Sequence, residues 1–402
     1  MNGVLYISYD GLLEPLGQSQ VLAYMRGLSR THRFTLITYE KADDLADTQL
    51  VAHLRSECEL LGIRWLPQRF RAQPKVLAPA LSMLRMVWLV TYEVRAQRIS
   101  LIHARSYIPA WVAQVVGRLT GVPFIFDMRA LWPEELIIAQ RLQRDSMLHR
   151  IILAAERVCL RRAAAVVSLT HAAVEHLERV YPQDMAEQSV SVIPTCVDLG
   201  RFVPAMLPKT QRVIGCLGTM LSGWFQIEWL SSFLAVAARQ DSKLLFEFTT
   251  RDDPNRLRAA LGASQTFQSR LSIASCASDQ VHEVLRGQVA SVMFFTKGLG
   301  KLGSSPTRMG EVLACGLPVI TNDGVGDVAQ IIRKYRVGVL VSGPTEREMA
   351  HSWGVLQELL ADPNLVLRCR QAAEEVFSLE SGTSAYARLY DKVLKNHGSK
   401  RK

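Results

Sequence analysis

A chain of 402 residues is too long for one hydrophobic core and predicts two domains. With 49% hydrophobic and 21% charged residues its composition is globular, and its seven Cys form no Cys-x-x-Cys pair and no Cys/His cluster at zinc spacing, which excludes a disulfide scaffold and a zinc module. The net charge of +10 sits in one block: residues 64–162 hold 16 Arg or Lys against 6 Asp or Glu, and the rest of the chain is neutral.

Such a one-sided basic surface is either a solvated face whose arginines line an anion site or a surface for polyanions and anionic membrane. Zinc-finger spacing, RNA-binding aromatic motifs and helix–turn–helix signals are all missing, so nucleic acid is not an expected partner. The opening MNGVLYISYDG reads as a strand entering a loop, without the basic start and apolar core of a signal peptide, and with reduced thiols it predicts a cytoplasmic protein. The apolar stretch 77–94 is interrupted by Pro79, Arg85 and Glu93 and is too short to span a bilayer, so it predicts a helix packed on the first sheet.

In chain order, a strand at 4–8 runs into a loop at 10–19, DGLLEPLGQS, and a helix at 20–29. Loops at the carboxyl ends of strands are where open α/β sheets bind ligands. This one is not Gly-x-Gly-x-x-Gly, which argues against a dinucleotide fold. Strands follow at 34–38, 63–66, 101–104 and 124–126, with helices at 47–61 and 110–119. Arg105 and the segment DMRALWPEE leave two adjacent strand ends. Asp10, Arg105, Asp127 and Arg129 therefore gather at the ligand edge as cleft residues, the alternative for Asp127 and Arg129 being a structural ion pair.

The helix at 141–162 places Leu148, Ile151, Ile152, Ala155 and Val158 at helical spacing. It reads as a core helix with a basic outer face, the alternative being a helix lying on anionic lipid. His171 and His176 are five apart and do not form a metal pair. A strand at 164–169, a helix at 171–180 and a strand at 190–194 complete a first domain over 1–197, and the proline-bearing stretch 198–211, with Phe202 and Leu207 its main large side chains, reads as the linker.

A second alternation covers 212–385: strands at 213–217, 244–249, 271–274, 290–295, 317–320 and 337–341, with helices between them and two long helices after them. A final helix at 386–395 is expected to return to the first domain, followed by a polar, disordered tail within 386–402. The fold class is α/β, two Rossmann-like doubly wound domains facing a cleft.

The most informative stretch is 297–327, KGLGKLGSSPTRMGEVLACGLPVITNDGVGD. A buried strand leads into a glycine loop, and Pro306 opens a helix, where proline fits because the first amides are unpaired in any case. Those amides and the helix dipole favour a phosphate. Arg308 adds a cation in the first turn, and Thr307, Arg308 and Glu311 share one face. A carboxylate there is placed to accept hydrogen bonds from a ribose diol. Lys301 reads as a solvated surface lysine. The alternative for the whole stretch is an ordinary capped crossover helix.

The segment PTRMGEVLACGLPVITND resembles the donor-binding signature of the family 4 glycosyltransferases, which have the GT-B fold. The family pattern is Glu, seven residues, Glu. Glu311 matches the second Glu, which implies a ribose contact, whereas Gly303 stands where the first Glu, used near the donor sugar, would fall. The resemblance implies transfer of a sugar from a nucleotide-diphosphate donor, UDP or GDP sugar, to a saccharide or lipid-linked acceptor, with retention. It implies a donor site from Gly17, Gly218, Arg251, Ser304, Ser305, Pro306, Thr307, Arg308 and Glu311, with Glu311, Arg308 and Lys297 as the catalytic set and Lys297 and Arg308 as the diphosphate clamp. No Asp-x-Asp pair is present, so neither metal nor cofactor is expected, the nucleotide sugar being a substrate. Cell-surface polysaccharide assembly, with the protein peripheral on an anionic inner membrane face, is the implied setting. Gly303 motivates one rival, a non-catalytic sugar-nucleotide-binding or partner protein of the same fold, and a second rival is another enzyme class of that fold, such as a sugar-nucleotide epimerase.

Overall fold

The computed structural model describes residues 1–70, 77–206, 211–262 and 265–400. The chain divides into two compact units, Met1–Pro194 with Leu379–Lys402, and Thr195–Ser378. Residues 207–210 of the expected linker and 401–402 of the tail lie outside the described residues.

The first unit is a seven-stranded parallel sheet: β1 (Gly3–Ser8), β2 (Arg33–Glu40), β3 (Arg64–Arg69), β4 (Ile99–Arg105), β5 (Phe124–Asp127), β6 (Ala165–Ser168) and β7 (Val190–Val192). The spatial order is β3-β2-β1-β4-β5-β6-β7, reversing between β1 and β4, with Tyr6 opposite Leu36 on one side and His103 on the other. All six residues of β1 are buried, as a parallel strand covered on both faces requires. Right-handed crossovers place the helices Leu77–Ala96, Tyr107–Thr120 and Met147–Arg162 in one layer, with Tyr107–Thr120 packed between the other two.

Three sequence expectations change here. The first helix begins at Pro15, not residue 20, and passes through a π-helical turn, Gln18–Leu22, before Ala23–Leu28. The cause is Glu40, fully buried at the end of β2, which accepts the amides of Leu12 (2.8 Å) and Leu13 (3.1 Å) and closes the loop early. The helix Met147–Arg162 keeps Arg150, Arg157 and Arg161 outside but is rotated from the expected core face, with Ile152, Ala155 and Val158 only half-buried. Leu148 and Ile151 are 56% and 53% exposed, while His149, Glu156, Cys159 and Leu160 are buried. Glu156 sets that rotation by accepting the hydroxyls of Tyr107 (2.7 Å) and Tyr181 (2.9 Å). Finally, the tail is helical: Leu379–Lys400 is one helix packed on Ala23–Leu28, and it buries Tyr386, Leu389, Tyr390 and Val393 at helical spacing.

The second unit is a six-stranded parallel sheet: β8 (Val213–Leu217), β9 (Leu245–Thr249), β10 (Leu271–Ala274), β11 (Ala290–Met293), β12 (Val319–Asn322) and β13 (Gly338–Val341), in the order β10-β9-β8-β11-β12-β13. Its core is aromatic, with Phe233, Phe246, Phe248, Phe267, Phe294 and Phe377 among its buried residues. Residues 198–206 are part of this unit. Arg370 donates to the carbonyls of Leu199 (3.0 Å) and Phe202 (2.7 Å), and Val197 bridges Ser378, so the segment is held down rather than loose.

Candidate functional site

In the second unit the strand order reverses between β8 and β11, and ligands of open α/β sheets bind beside such a reversal. The chain leaves β8 through Gly218, at φ +119°, where a Cβ would overlap the Arg308 guanidinium. Glycine is required there twice, for its backbone and for the space Arg308 fills. Asp252 secures the turn that follows, accepting from the amides of Met220 (2.6 Å) and Leu221 (3.2 Å) and from Thr250 Oγ1 (2.9 Å). On the other side, buried Asn322 at the end of β12 exchanges hydrogen bonds with the Phe295 backbone (2.7 and 3.1 Å) and fixes where the chain leaves β11.

The helix Thr307–Ala314 starts at this edge. Pro306 is its N-cap rather than its first residue, and no side chain caps it. The amides of Thr307 and Arg308 thus have no acceptor within the helix. Arg308 is half-buried over the Phe225 ring at 5.5 Å, and burial pulls its pKa down. Glu311, one turn on, is half-buried. Burial pushes its carboxyl pKa up, and the fields of Arg308 and then Arg201 only partly offset this. Among the described residues neither Arg308 nor Glu311 has a hydrogen-bond partner. Ser304 Oγ, in the preceding loop, is also buried without one. A cation, a carboxylate and a hydroxyl left unsatisfied around an uncapped helix start are a set of groups waiting for a polar ligand.

The remaining expected residues divide. Lys297 pairs with Asp323 (2.7 Å) above the Trp229 ring, and the structure does not join it to Arg308 as one clamp. Arg251 is exposed beyond β9. Ser305 bonds Thr195, its Oγ lying 3.1 Å from Thr195 Oγ1, and so holds the loop rather than presenting a free hydroxyl. Lys301 is not a surface lysine: it is 4% exposed, with its ammonium over the Trp224 ring. Sequence reasoning missed Lys301, Arg201 and Asp252 as parts of this site. Asn322 was legible as the start of a turn-rich loop, 322–326, that closes the apolar run of β12 at the ligand edge.

Gly17 lies in the first unit. It is helical, and a Cβ there would overlap the Gly11 carbonyl, so its close backbone approach is to its own loop. The carboxyl edge of that unit carries the other expected residues. Arg105, 4% exposed at its side chain, donates to Asp10 (3.4 Å), and Arg129, at φ +62°, lies 3.7 Å from Asp127. Both guanidinia act on the buried Tyr6 hydroxyl, which burial pushes up to about 12. Burial alone would also raise Asp127, but the Arg129 charge and the His103 hydrogen bond outweigh it and hold that carboxyl at about 2. Burial pushes the His103 imidazole down, toward its neutral form. With Asp127 ionised, His103 Nε2–H donates to it (3.2 Å), which leaves Nδ1 to accept from Tyr390 (2.7 Å), and Tyr386 also donates to Asp127 (3.0 Å). Asp127 and Arg129 are therefore an ion pair inside a larger network built on the C-terminal helix.

Two parallel sheets, both wound in the same strand order, make this an α/β protein of GT-B architecture. Residues 17–201 match the model of Glycosyltransferase Family 4, a segment that ends before the helix Thr307–Ala314. The chain is 26% identical over 302 residues to the 2-deoxystreptamine glucosyltransferase of Streptomyces kanamyceticus, covering 70% of this chain and 73% of that one. A glycosyltransferase from Rickettsia africae ESF-5 superimposes with a TM-score of 0.71 at 16% identity, covering 98% of this chain and 99% of its own. Anabaena Alr3699/HepE, solved with UDP and glucose, superimposes at 0.65 with 12% identity, covering 96% and 99%. Residues 17–201 are thus similar to glycosyltransferase family 4, and these likenesses make the chain a transferase enzyme.

Proposed function

We propose that the chain transfers a sugar from a nucleoside diphosphate sugar, with UDP or GDP as carrier, to a saccharide or lipid-linked acceptor, with retention. The observation that carries this reading is the pair Arg308 and Glu311, one cation and one carboxylate on a single helix face above uncapped amides, neither with a hydrogen-bond partner among the described residues. Arg308 and the amides receive the diphosphate and stabilise the charge that grows on the leaving oxygen. Glu311 accepts from the ribose diol.

No nucleophilic side chain is assigned. In a front-face route the acceptor oxygen attacks the anomeric carbon on the side the diphosphate leaves, and the departing phosphate oxygen takes the acceptor's proton. No metal or cofactor enters, since the chain has no Asp-x-Asp pair to bridge one to the diphosphate. The acceptor is assigned to the first unit's edge, where Arg105 and Arg129 suit an anionic or lipid-linked saccharide. The basic block suits a peripheral position on the inner membrane face during cell-surface polysaccharide assembly.

The test is a thermal-shift panel of UDP, GDP and ADP on wild type and Glu311→Ala. A ligand at ~100 times its Kd stabilises by about 2.7 kcal/mol. One diphosphate shifting wild type and not the variant supports the site and names the base, whereas no shift in either removes it. Because HepE was solved with UDP and glucose, UDP is tried first, and 2-deoxystreptamine, named for the Streptomyces kanamyceticus relative, belongs in the acceptor panel. Release of nucleoside diphosphate only when acceptor is present separates a transferase from a binder or an epimerase. An inverted anomeric signal by NMR removes the front-face route.

A further inference from the structure

The helices Leu77–Ala96 and Met147–Arg162 flank Tyr107–Thr120 in one layer of the first unit. Both outer helices expose apolar side chains that a core would claim. On the first, Leu84, Trp88 and Tyr92, four residues apart, are 65%, 67% and 55% exposed. Trp88 and Tyr92 stack with centroids 5.8 Å apart and planes at 12°, forming a flat aromatic plate in solvent. On the second, Leu148 and Ile151 are the exposed pair described above. Spacing at i and i+4 on the first helix, and at i and i+3 on the second, makes each group one stripe on its helix.

The charges around these stripes are of one sign. Across the three helices the only carboxylates are Glu93 and Glu156, and both are buried. Glu93 is paired with Arg64, and Glu156 holds two tyrosine hydroxyls. Arg85, Arg95, Arg118 and Arg150 are exposed and, among the described residues, form no ion pair. The outward surface of the layer thus combines protruding aromatic and aliphatic groups with unneutralised arginines.

We infer that this layer is the face by which the protein docks on an anionic lipid bilayer. The stripes of Trp88 with Tyr92 and of Leu148 with Ile151 enter the headgroup boundary, and the arginines meet lipid phosphates. Tyrosine and tryptophan suit that boundary because each has an apolar body and a polar edge. A nucleic acid would match the charge but leave Leu84, Leu148 and Ile151 without a role. A second copy docked by the same face would set arginine against arginine. Among the described residues no helix is long and apolar enough to cross a membrane, so this face lies on the bilayer. The inference deepens the membrane part of the reading above and is independent of the donor site.

The experiment is co-sedimentation of the full chain with vesicles of phosphatidylcholine alone and of phosphatidylcholine with phosphatidylglycerol, at low and high salt. Wild type is expected to pellet with the anionic vesicles at low salt, and brominated lipid is expected to quench part of its tryptophan emission. Quenching should be lost in Trp88→Leu. Trp88→Ser/Ile151→Ser and Arg85→Glu/Arg150→Glu should each weaken binding by about tenfold or more while keeping the wild-type melting temperature. Their nucleotide shift should match wild type, so a failure of docking and a failure of the donor site are read separately. Wild type left in the supernatant with both vesicles overturns the inference. So does loss of binding in the arginine variant alone, or a wild-type dimer that Trp88→Ser/Ile151→Ser converts to monomer.

Discussion

Glu311 carries a charge that the folded protein does not pair by hydrogen bonding, and the sign of its effect on stability follows. Burial raises its pKa, so the native state holds the proton more tightly than the unfolded chain does. Its stabilising contribution is complete below the ordinary glutamate range and is lost as pH rises through the raised value. Glu311→Gln should therefore melt later than wild type at neutral pH, with the gap closing as pH falls toward 4, and should lose the nucleotide shift. Parallel melts across that pH range check both, and a variant that melts earlier at pH 7 would contradict the burial argument. Gly218 makes a second case. Alanine there meets both the φ of +119° and the Arg308 guanidinium. Gly218→Ala should cost about 1–3 kcal/mol and abolish the nucleotide shift although glycine has no side chain to lose, as denaturation with and without nucleotide will show.

Among elements, the C-terminal helix Leu379–Lys400 does the least expected work. It supplies two hydroxyls to the carboxyl edge of the first sheet, Tyr390 to His103 and Tyr386 to Asp127. Tyr390→Phe leaves a buried imidazole nitrogen without a donor and should cost about 1–3 kcal/mol in urea denaturation. The double variant with Tyr386→Phe should cost less than the sum, because both act on one His103–Asp127 network. The pH dependence has the opposite sign to Glu311. Asp127 is held at about 2, below its ordinary 3.8, so the stability it contributes is present above that ordinary value and lost as pH falls through about 2. Asp127→Asn should be destabilising at neutral pH, and the deficit should shrink in acid.

At the scale of the whole molecule, the chain builds most of one unit, then all of a second, and returns to the first. Stability of the first unit should therefore depend on residues contributed last. Ending the chain after Ser378 would uncover Tyr24 and His103, which the returning helix packs against. Scanning calorimetry of that truncated chain should lose the first unit's transition and keep one that UDP or GDP still raises. Loss of both would mean that the units fold only together. The charge asymmetry belongs to this scale too, since the block 64–162 holds the entire net charge and contains the three-helix layer.

The amino-acid sequence by itself determined the class of fold and the position of the candidate donor site. Uninterrupted apolar runs such as Val4–Ser8 and Ala290–Met293 can be satisfied only in parallel sheets covered on both faces, and their alternation with helical periodicity reads as two doubly wound units. The start of the helix at Thr307 and the shared face of Arg308 and Glu311 were legible because caps and i, i+3 spacing are local. Other features were decided only by tertiary structure, because each depends on a partner far along the chain. Lys301 is buried where Trp224 meets it, and Lys297 is diverted to Asp323. The helix Met147–Arg162 turns Leu148 and Ile151 to solvent because Tyr107 and Tyr181 bond Glu156 on its inward face. Periodicity reports that a helix has two faces. Which face turns inward is set by whichever distant groups satisfy the polar atoms it carries.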